Sequence, residues 1–353
     1  GIAEDHPTHP SGELMGTLRN LLCLVLGFAI AAAAAASWTP ARPVLTVTEK
    51  LERYAEAADA YDVLAIGSSL TYRQIIPSIF DAAARDAGRP MRLYNLGVDG
   101  MRPPEDTYLL EEALALRKTP LEVVLVESNR LRFPIRPQDE ETVRAIYWHD
   151  TKRLATMARF ALGSDARRSG VREDIGRIGE TLPTLWRHVD YWFRNVSALG
   201  RGHEALIAEL LEAGPPARGI GPDGYAPPPA RDGLTFDEKR RYEEAVASLR
   251  VGAARYDSGD SLSQAELAEK RRIIEASGAR MVLILPPDPM AKHFFPTDES
   301  QRAAVLDFSD PNAYPELFDR ADRRDPSHLD VRGAELYSRL LARQLAARLG
   351  SQP

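Results

Sequence analysis

Short aliphatic segments alternate with helical patterns in the N-terminal half of the chain, and this alternation limits the fold more than any other feature. The aliphatic segments span residues 62–66, 92–96 and 121–126, and the last is almost wholly aliphatic, as in a strand covered on both faces. Helical patterns lie between them at residues 77–87 and 104–117. This order predicts parallel strands joined by right-handed crossovers.

The alternation stops over residues 131–260, where the patterns are helical and a loop rich in Pro and Gly spans residues 215–233. The helical patterns there cover residues 139–162, 171–199, 203–213 and 236–256. Strands and helices resume at residues 263–277, 280–285, 304–308 and 331–349. The prediction is an α/β fold with a flavodoxin-like, doubly wound parallel sheet, in two parts (residues 48–130 and 261–350) separated by a large helical insertion.

An uncharged apolar run at residues 21–38 is just long enough to span a bilayer. Arg19 precedes it and Trp38 ends it, as a basic flank and an interfacial aromatic would. We expect an N-terminal transmembrane helix, preceded by a disordered tail at residues 1–20. The alternative is a cleaved signal peptide that begins at Met15. Either way the rest of the chain would be exported, and we expect a single-pass inner-membrane protein with a periplasmic domain.

The charge, the cysteine count and the histidine spacing limit which partners and ligands we expect. The chain has 353 residues and a formal net charge of -6, which disfavours a nucleic-acid partner because such proteins concentrate basic residues on one face. Its one cysteine, Cys23, excludes an intrachain disulfide. Histidines are scattered without ligand spacing, so we expect no metal and no cofactor. The histidines in question are His149, His188, His203 and His293.

Polar turns follow the predicted strands and precede the closing helix. In open parallel sheets such turns meet at the carboxyl edge, where active sites form. Each turn alone is an ordinary loop, but an acid three residues before a histidine can also fix that histidine's tautomer. The four stretches are Gly67-Ser68-Ser69-Leu70, Asn95-Leu96-Gly97-Val98-Asp99-Gly100, Glu127-Ser128-Asn129 and Asp325-Pro326-Ser327-His328.

In this order, the four stretches resemble the sequence blocks of the SGNH (GDSL-like) hydrolase family, over residues 62–129 and 280–349. The resemblance implies a nucleophile at Ser69, an acid and base at Asp325 and His328, and oxyanion donors at Gly100 and Asn129. Two departures are visible. Ser68 replaces the family's usual Asp, and the block that usually reads Gly-x-Asn-Asp is Glu-Ser-Asn-Arg here.

The Gly-Ser-Ser variant is similar to that of membrane-anchored SGNH proteins that work beside membrane-bound O-acyltransferases. This resemblance implies a serine O-acyltransferase that acts on a cell-surface glycan or lipid through an acyl-serine intermediate, with a membrane-bound O-acyltransferase as a possible partner. Two alternatives stay open. One is an SGNH esterase or deacetylase, and the other is a non-catalytic SGNH-fold scaffold of a membrane complex.

Overall fold

The computed structural model describes residues 10–38, 44–162, 171–197, 219–231, 233–297 and 304–350. These residues form a mixed α/β structure around a parallel central sheet of five strands in the order β2-β1-β3-β5-β7. Two further strands, β4 and β6, pair in parallel as a small separate sheet. The strands are β1 (Val63–Ile66), β2 (Leu93–Asn95), β3 (Val123–Glu127), β4 (Tyr256–Asp257), β5 (Arg280–Leu285), β6 (His293–Phe294) and β7 (Val305–Asp307).

Helices connect and cover the strands. Short 3-10 turns add to them at Ala58–Ala60, Pro137–Asp139, Pro315–Phe318 and Arg320–Asp322. In chain order the α-helices are α1 (Pro10–Trp38), α2 (Leu45–Ala57), α3 (Ser69–Gln74), α4 (Pro77–Asp86), α5 (Glu105–Ala115), α6 (Val143–Ile146), α7 (Thr151–Leu162), α8 (Val171–Val196), α9 (Phe236–Arg250), α10 (Ser261–Ala276) and α11 (Val331–Gly350).

Both faces of the central sheet are buried, because successive strand residues point to opposite faces and each face meets helices. One face packs against α4 and α11 through side chains such as Phe80 and Tyr337. The opposite face packs against α2, α5 and α10 through Tyr54, Leu109 and Leu267. Each large apolar side chain buried in this way contributes about 1.5–3 kcal/mol. The helices thereby fix the carboxyl edge of the sheet, to which all five strands point.

The aliphatic segments predicted as strands form β1, β2, β3, β5 and β7, within a few residues of the expected ends. The helix predicted over residues 236–256 is wrong at its end. It stops at Arg250, because Gly252 adopts a φ of +97° that turns the chain, and Tyr256 lies in a strand instead. The helix predicted over residues 203–213 lies outside the described residues.

The helical region predicted as one insertion does not stand apart from the sheet. Tyr242 and Val246 of α9 lie in the same buried cluster as the central strands and α11. The Pro- and Gly-rich loop also contacts the sheet, since the Asn95 N–H donates to the carbonyl of Asp223 at 2.9 Å. Farther along that loop, the Arg324 side chain donates to the carbonyl of Pro229. The loop therefore reaches the segment that precedes His328.

The remaining helical region, α6 to α8, has its own small core. The helix predicted over residues 139–162 is broken into a 3-10 turn, α6 and α7. Trp148 and Tyr191 are buried there, whereas Trp186 of α8 is 73% exposed and Phe193 is 41% exposed. Some of the aromatic side chains thus form the core and others face outward.

The N-terminal helix α1 starts earlier than expected. It begins at Pro10, so the predicted disordered tail of residues 1–20 is wrong from residue 10 onward, and residues 1–9 lie outside the described part. Proline fits a first helical turn, and Glu13 to Met15 are good helix formers that continue into the apolar run. The stretch Met15–Ala32 is long and apolar enough to cross a membrane. Phe28 of this helix stacks on Phe193, with ring centroids 5.6 Å apart.

Candidate active site

Ser69 lies directly after β1, where the chain turns sharply into α3. Gly67 makes the turn possible, because a Cβ at that position would overlap the side chains of Thr71 and Glu127. Ser68 caps the helix, and its Oγ accepts a hydrogen bond from the Leu70 N–H at 3.3 Å. Ser69 itself is only partly buried, so its hydroxyl is held at the carboxyl edge of the sheet within reach of solvent.

Ser69, His328 and Asp325 form a continuous hydrogen-bonded relay. The Ser69 Oγ lies 2.7 Å from Nε2 of His328, and Nδ1 of the same ring lies 2.9 Å and 3.0 Å from the two carboxylate oxygens of Asp325. A carboxylate can only accept, so Nδ1 carries a proton and donates it to Asp325. Nε2 of the neutral ring is then free to accept the serine proton. Ser69 and His328 are 259 positions apart in the sequence, yet their side chains are in contact.

The loop before α11 holds Asp325 in its charged form. Burial alone would raise the pKa of Asp325, but hydrogen bonds from the imidazole of His328 and from the backbone N–H groups of Ser327 and His328 lower that pKa to about 2. The Arg324 side chain also donates to this carboxylate at 3.1 Å. Asp325 is therefore ionised at any pH near neutrality and keeps the imidazole in one orientation.

Glu127 is a buried carboxylate beneath the serine turn, and it is the main site residue to which the sequence analysis assigns no role. Its Oε1 accepts from the Ser68 hydroxyl at 2.6 Å and from the Asn129 amide at 2.9 Å. Its Oε2 accepts from the N–H groups of Ser68 and Thr71 and from the Thr71 hydroxyl. Four of these five hydrogen bonds tie the end of β3 to Ser68 and Thr71, on either side of Ser69. The available signal is a charge that closes an otherwise aliphatic buried strand, since a buried charge needs partners.

Asn95 fixes the other end of α3. Its Nδ2 donates to the carbonyls of Thr71 and Ile75, at 2.9 Å and 2.7 Å, and its Oδ1 accepts from the Gly97 N–H. Gly97 lies so close to this helix that an added Cβ would stand 2.5 Å from the backbone nitrogen of Tyr72. The second polar turn therefore positions the short helix that begins with Ser69.

Gly100 and Asn129, the predicted oxyanion donors, lie at the carboxyl edge but are not joined to Ser69 by a hydrogen bond among the described residues. Gly100 has a φ of +68°, and a Cβ there would coincide with the guanidinium of Arg136. The Asn129 amide donates to Glu127, and its oxygen accepts from Arg102. One of its two amide N–H bonds is used in this way. Their role as oxyanion donors stays a prediction.

No group of three or more potential metal-ligating side chains occurs among the described residues. Two of the buried histidines, His149 and His188, contact each other, with Nε2 and Nδ1 2.8 Å apart. The third, His293, lies in β6. His203 lies outside the described residues.

No family model matches the chain, and no curated protein is similar enough in sequence to count as a match.

Proposed function

We propose that the chain is a membrane-anchored SGNH-type serine O-acyltransferase that acts on a cell-surface glycan or lipid. The observation that carries this proposal is the relay in which the Ser69 hydroxyl contacts Nε2 of His328 at 2.7 Å while Asp325 holds Nδ1. Such a relay is what an activated serine nucleophile requires.

The strand order supports the SGNH part of the proposal. The central order β2-β1-β3-β5-β7 has the same pattern as the flavodoxin-like arrangement 2-1-3-4-5 once the strands of the central sheet alone are numbered. In that doubly wound arrangement, ligands bind outside the carboxyl ends of the strands. Ser69 follows β1 there, as a nucleophile in such a sheet would.

In the proposed mechanism, His328 takes the proton of Ser69 as its Oγ attacks an ester or thioester carbonyl, and Asp325 stabilises the imidazolium. The oxyanion is expected to meet the N–H groups of Ser69 and Gly100 and the second amide N–H of Asn129. Each such donor contributes about 2.7–4 kcal/mol in comparable sites. His328 then protonates the leaving group, and an acyl-serine forms. A hydroxyl of the acceptor, deprotonated by His328, would attack that ester and release Ser69.

The proposed location is the inner membrane, with α1 as the anchor and the sheet on the periplasmic side. Anchoring would favour transfer from a membrane-borne acyl donor, because confinement raises the effective concentration of donor and enzyme. A membrane-bound O-acyltransferase is the partner that could deliver such a group.

Hydrolysis is the second candidate function, and one observation favours it. The side chain of His328 is 22% exposed, so water can reach the base that would activate it. An esterase or deacetylase would use the same relay with water as the acceptor.

The test follows the acyl group from 4-nitrophenyl acetate with the full-length protein in detergent. Reactions run with no acceptor, with maltotriose or with tri-galacturonic acid, and mass spectrometry locates the acetyl group. We expect slow release of nitrophenolate alone and acetylated oligosaccharide when an acceptor is present. Rapid hydrolysis that neither oligosaccharide diverts would favour the esterase. Release no faster than that by Ser69→Ala would favour the non-catalytic scaffold.

A further inference from the structure

A recess lined by arginine side chains lies next to Gly100, between the segment after β2 and the segment after β3. Its volume is about 40 Å³, which exceeds the roughly 10–15 Å³ that one water needs. This is room for a few waters or for one group of carboxylate or phosphate size. Its charged lining residues are Arg102, Glu105, Arg132, Arg136, Asp139 and Arg144.

The recess carries an excess of positive charge in a chain whose net charge is -6. Four arginines and two carboxylates line it, which leaves two positive charges in excess. The carboxylates are already used, since Arg144 pairs with Glu105 at 2.9 Å and Arg136 pairs with Asp139. A local positive potential of this kind attracts anions.

Arg132 is the cation left over. Its neighbour Arg102 donates to the Asn129 side chain, but the Arg132 guanidinium has no hydrogen bond or ion pair with any residue that the structure describes. Burial, and then the charges of Arg102 and Arg136, lower the pKa of Arg132. The Arg132 side chain is partly buried, so a bound anion would supply charge-assisted hydrogen bonds that the described residues do not.

We propose that this recess binds an anionic group of the substrate, a carboxylate or a phosphate, with Arg132 as its main partner. An Arg guanidinium can hold either group through two parallel hydrogen bonds. This inference rests on the proposed function, because it names the class of substrate that the Ser69 site would accept. An acidic glycan or a phosphate-bearing polymer has that chemistry, whereas a neutral glycan does not.

Residues that line the recess contact Gly100 and Asn129, and a chain of hydrogen bonds runs from Asn129 to the serine turn. Arg136 lies over Gly100, the predicted oxyanion glycine. On the other side, Arg102 contacts Asn129, whose amide donates to Glu127, which in turn accepts from Ser68. A substrate anchored by its charged group in the recess would therefore lie beside the edge that carries Ser69.

The test measures binding to the full-length protein in detergent by isothermal titration calorimetry. The probes are tri-galacturonic acid, its neutral methyl ester, glycerol phosphate and inorganic phosphate. Arg132→Gln removes the charge, Arg132→Lys keeps it, and Arg240→Gln is the control because Arg240 lies on α9 with a weak, exposed ion pair.

We expect at least one anionic probe to bind and the neutral ester to bind far more weakly. Arg132→Gln should weaken binding of the anionic probe about ten- to hundredfold. Arg132→Lys should restore only part of the loss, because Lys keeps the charge but cannot form the two parallel hydrogen bonds. Arg240→Gln should match the wild type. Selective binding of the galacturonate would identify a carboxylate ligand, and selective binding of the phosphates a phosphate ligand. The proposal is overturned if no anionic probe binds the wild type, or if Arg132→Gln binds as well as the wild type.

Labelling of the wild type with a fluorophosphonate separates this result from the fate of the proposed function. A wild type that reacts with the probe but shows no Arg132-dependent binding keeps the serine chemistry and refutes the anion site. A wild type that binds anions through Arg132 but never reacts keeps the anion site and refutes the catalytic proposal.

Discussion

Two histidine relays of similar geometry lie in different parts of this molecule and have different surroundings. His328 is 22% exposed and its Nδ1 donates to the carboxylate of Asp325. His188 is fully buried, and its Nε2 donates to the carbonyl of Phe133 at 2.7 Å while its Nδ1 accepts from His149. The first relay ends in a charge and opens to solvent, whereas the second consists of neutral groups inside a helical region.

The comparison indicates that a histidine's hydrogen-bond partner and its burial decide whether it can accept a proton. Asp325 can stabilise an imidazolium, so His328 can accept a proton from Ser69. Burial lowers the pKa of His188 to about 4, and burial together with the neighbouring His188 lowers the pKa of His149 well below its usual value. The second pair therefore resists protonation and acts in packing.

Removing the base is expected to have the largest effect. His328→Ala should lower the turnover of 4-nitrophenyl acetate by about ten-thousandfold or more, because Ser69 loses the group that takes its proton. His149→Gln is the control from the other relay, and its folded fraction should turn over the ester at the rate of the wild type. An active His328→Ala protein would place the base elsewhere.

Removing the acid is expected to have a smaller effect on the same reaction. Asp325→Asn should cost about a hundred- to ten-thousandfold in turnover, because the amide no longer fixes the tautomer of His328. The pKa of Asp325 is lowered to about 2, so its stabilising effect is fully present above the unfolded value of about 3.9 and is lost progressively as pH falls from there through about 2. The pH dependence of wild-type turnover should therefore show no loss from Asp325 above about pH 4. The control is Asp260→Asn, at the N-cap of α10, where the Asp260 side chain accepts from the Ser263 N–H. Turnover in Asp325→Asn that equals this control would remove Asp325 from the relay.

Acid should destabilise the region of the buried pair. The pKa of His188 is about 4 in the folded chain and about 6.5 in an unfolded one. Between these pH values the unfolded chain binds more protons, so the free energy of unfolding falls as pH falls, by on the order of 3 kcal/mol in total. Hydrogen exchange of amides in residues 181–196, corrected for intrinsic rates, measures this loss. Protection that is equal at pH 7 and pH 4.5 would contradict the assignment of a buried neutral pair.

Replacing Glu127, the carboxylate beneath the serine turn, is expected to have the smallest effect of the four changes. Glu127→Gln replaces an acceptor oxygen with an N–H donor that faces other donors, at a cost of about 1–3 kcal/mol in stability. Turnover should also fall, because Ser68 and Thr71 no longer hold Ser69 in place. Glu122→Gln, just before the same strand, removes two partly exposed ion pairs, with Arg89 and Arg280, and should cost under about 1 kcal/mol for each. Equal stability losses in the two variants would show that Glu127 has no special structural role.

The sequence predicts the parts of this fold that depend on local pattern. The aliphatic strands and the pair Asp325 and His328 are visible because burial on both faces and short-range spacing leave a direct trace. The role of Glu127 is missed, although the residue lies in one of the four polar stretches, because two of its three partner residues, Ser68 and Thr71, are 56 or more positions away. The strand at Tyr256 is missed because it is two residues long and its pairing with His293 is not local.

The start of the N-terminal helix is also missed by reasoning from local pattern. Residues 10–20 carry polar residues and read as a tail, but they continue a helix that the apolar run already supports. Once such a helix exists, each further residue costs little to add, since nucleation is the expensive step.

The central claim is that Ser69 is a nucleophile activated by His328, and covalent labelling tests it most directly. The full-length protein in detergent is treated with a fluorophosphonate, digested, and searched by mass spectrometry for the modified peptide. We expect a single adduct on Ser69 in the wild type, none in Ser69→Ala, and labelling in His328→Ala that is slower by about a thousandfold or more. An unlabelled wild type, or an adduct on another residue that persists in Ser69→Ala, would contradict the account.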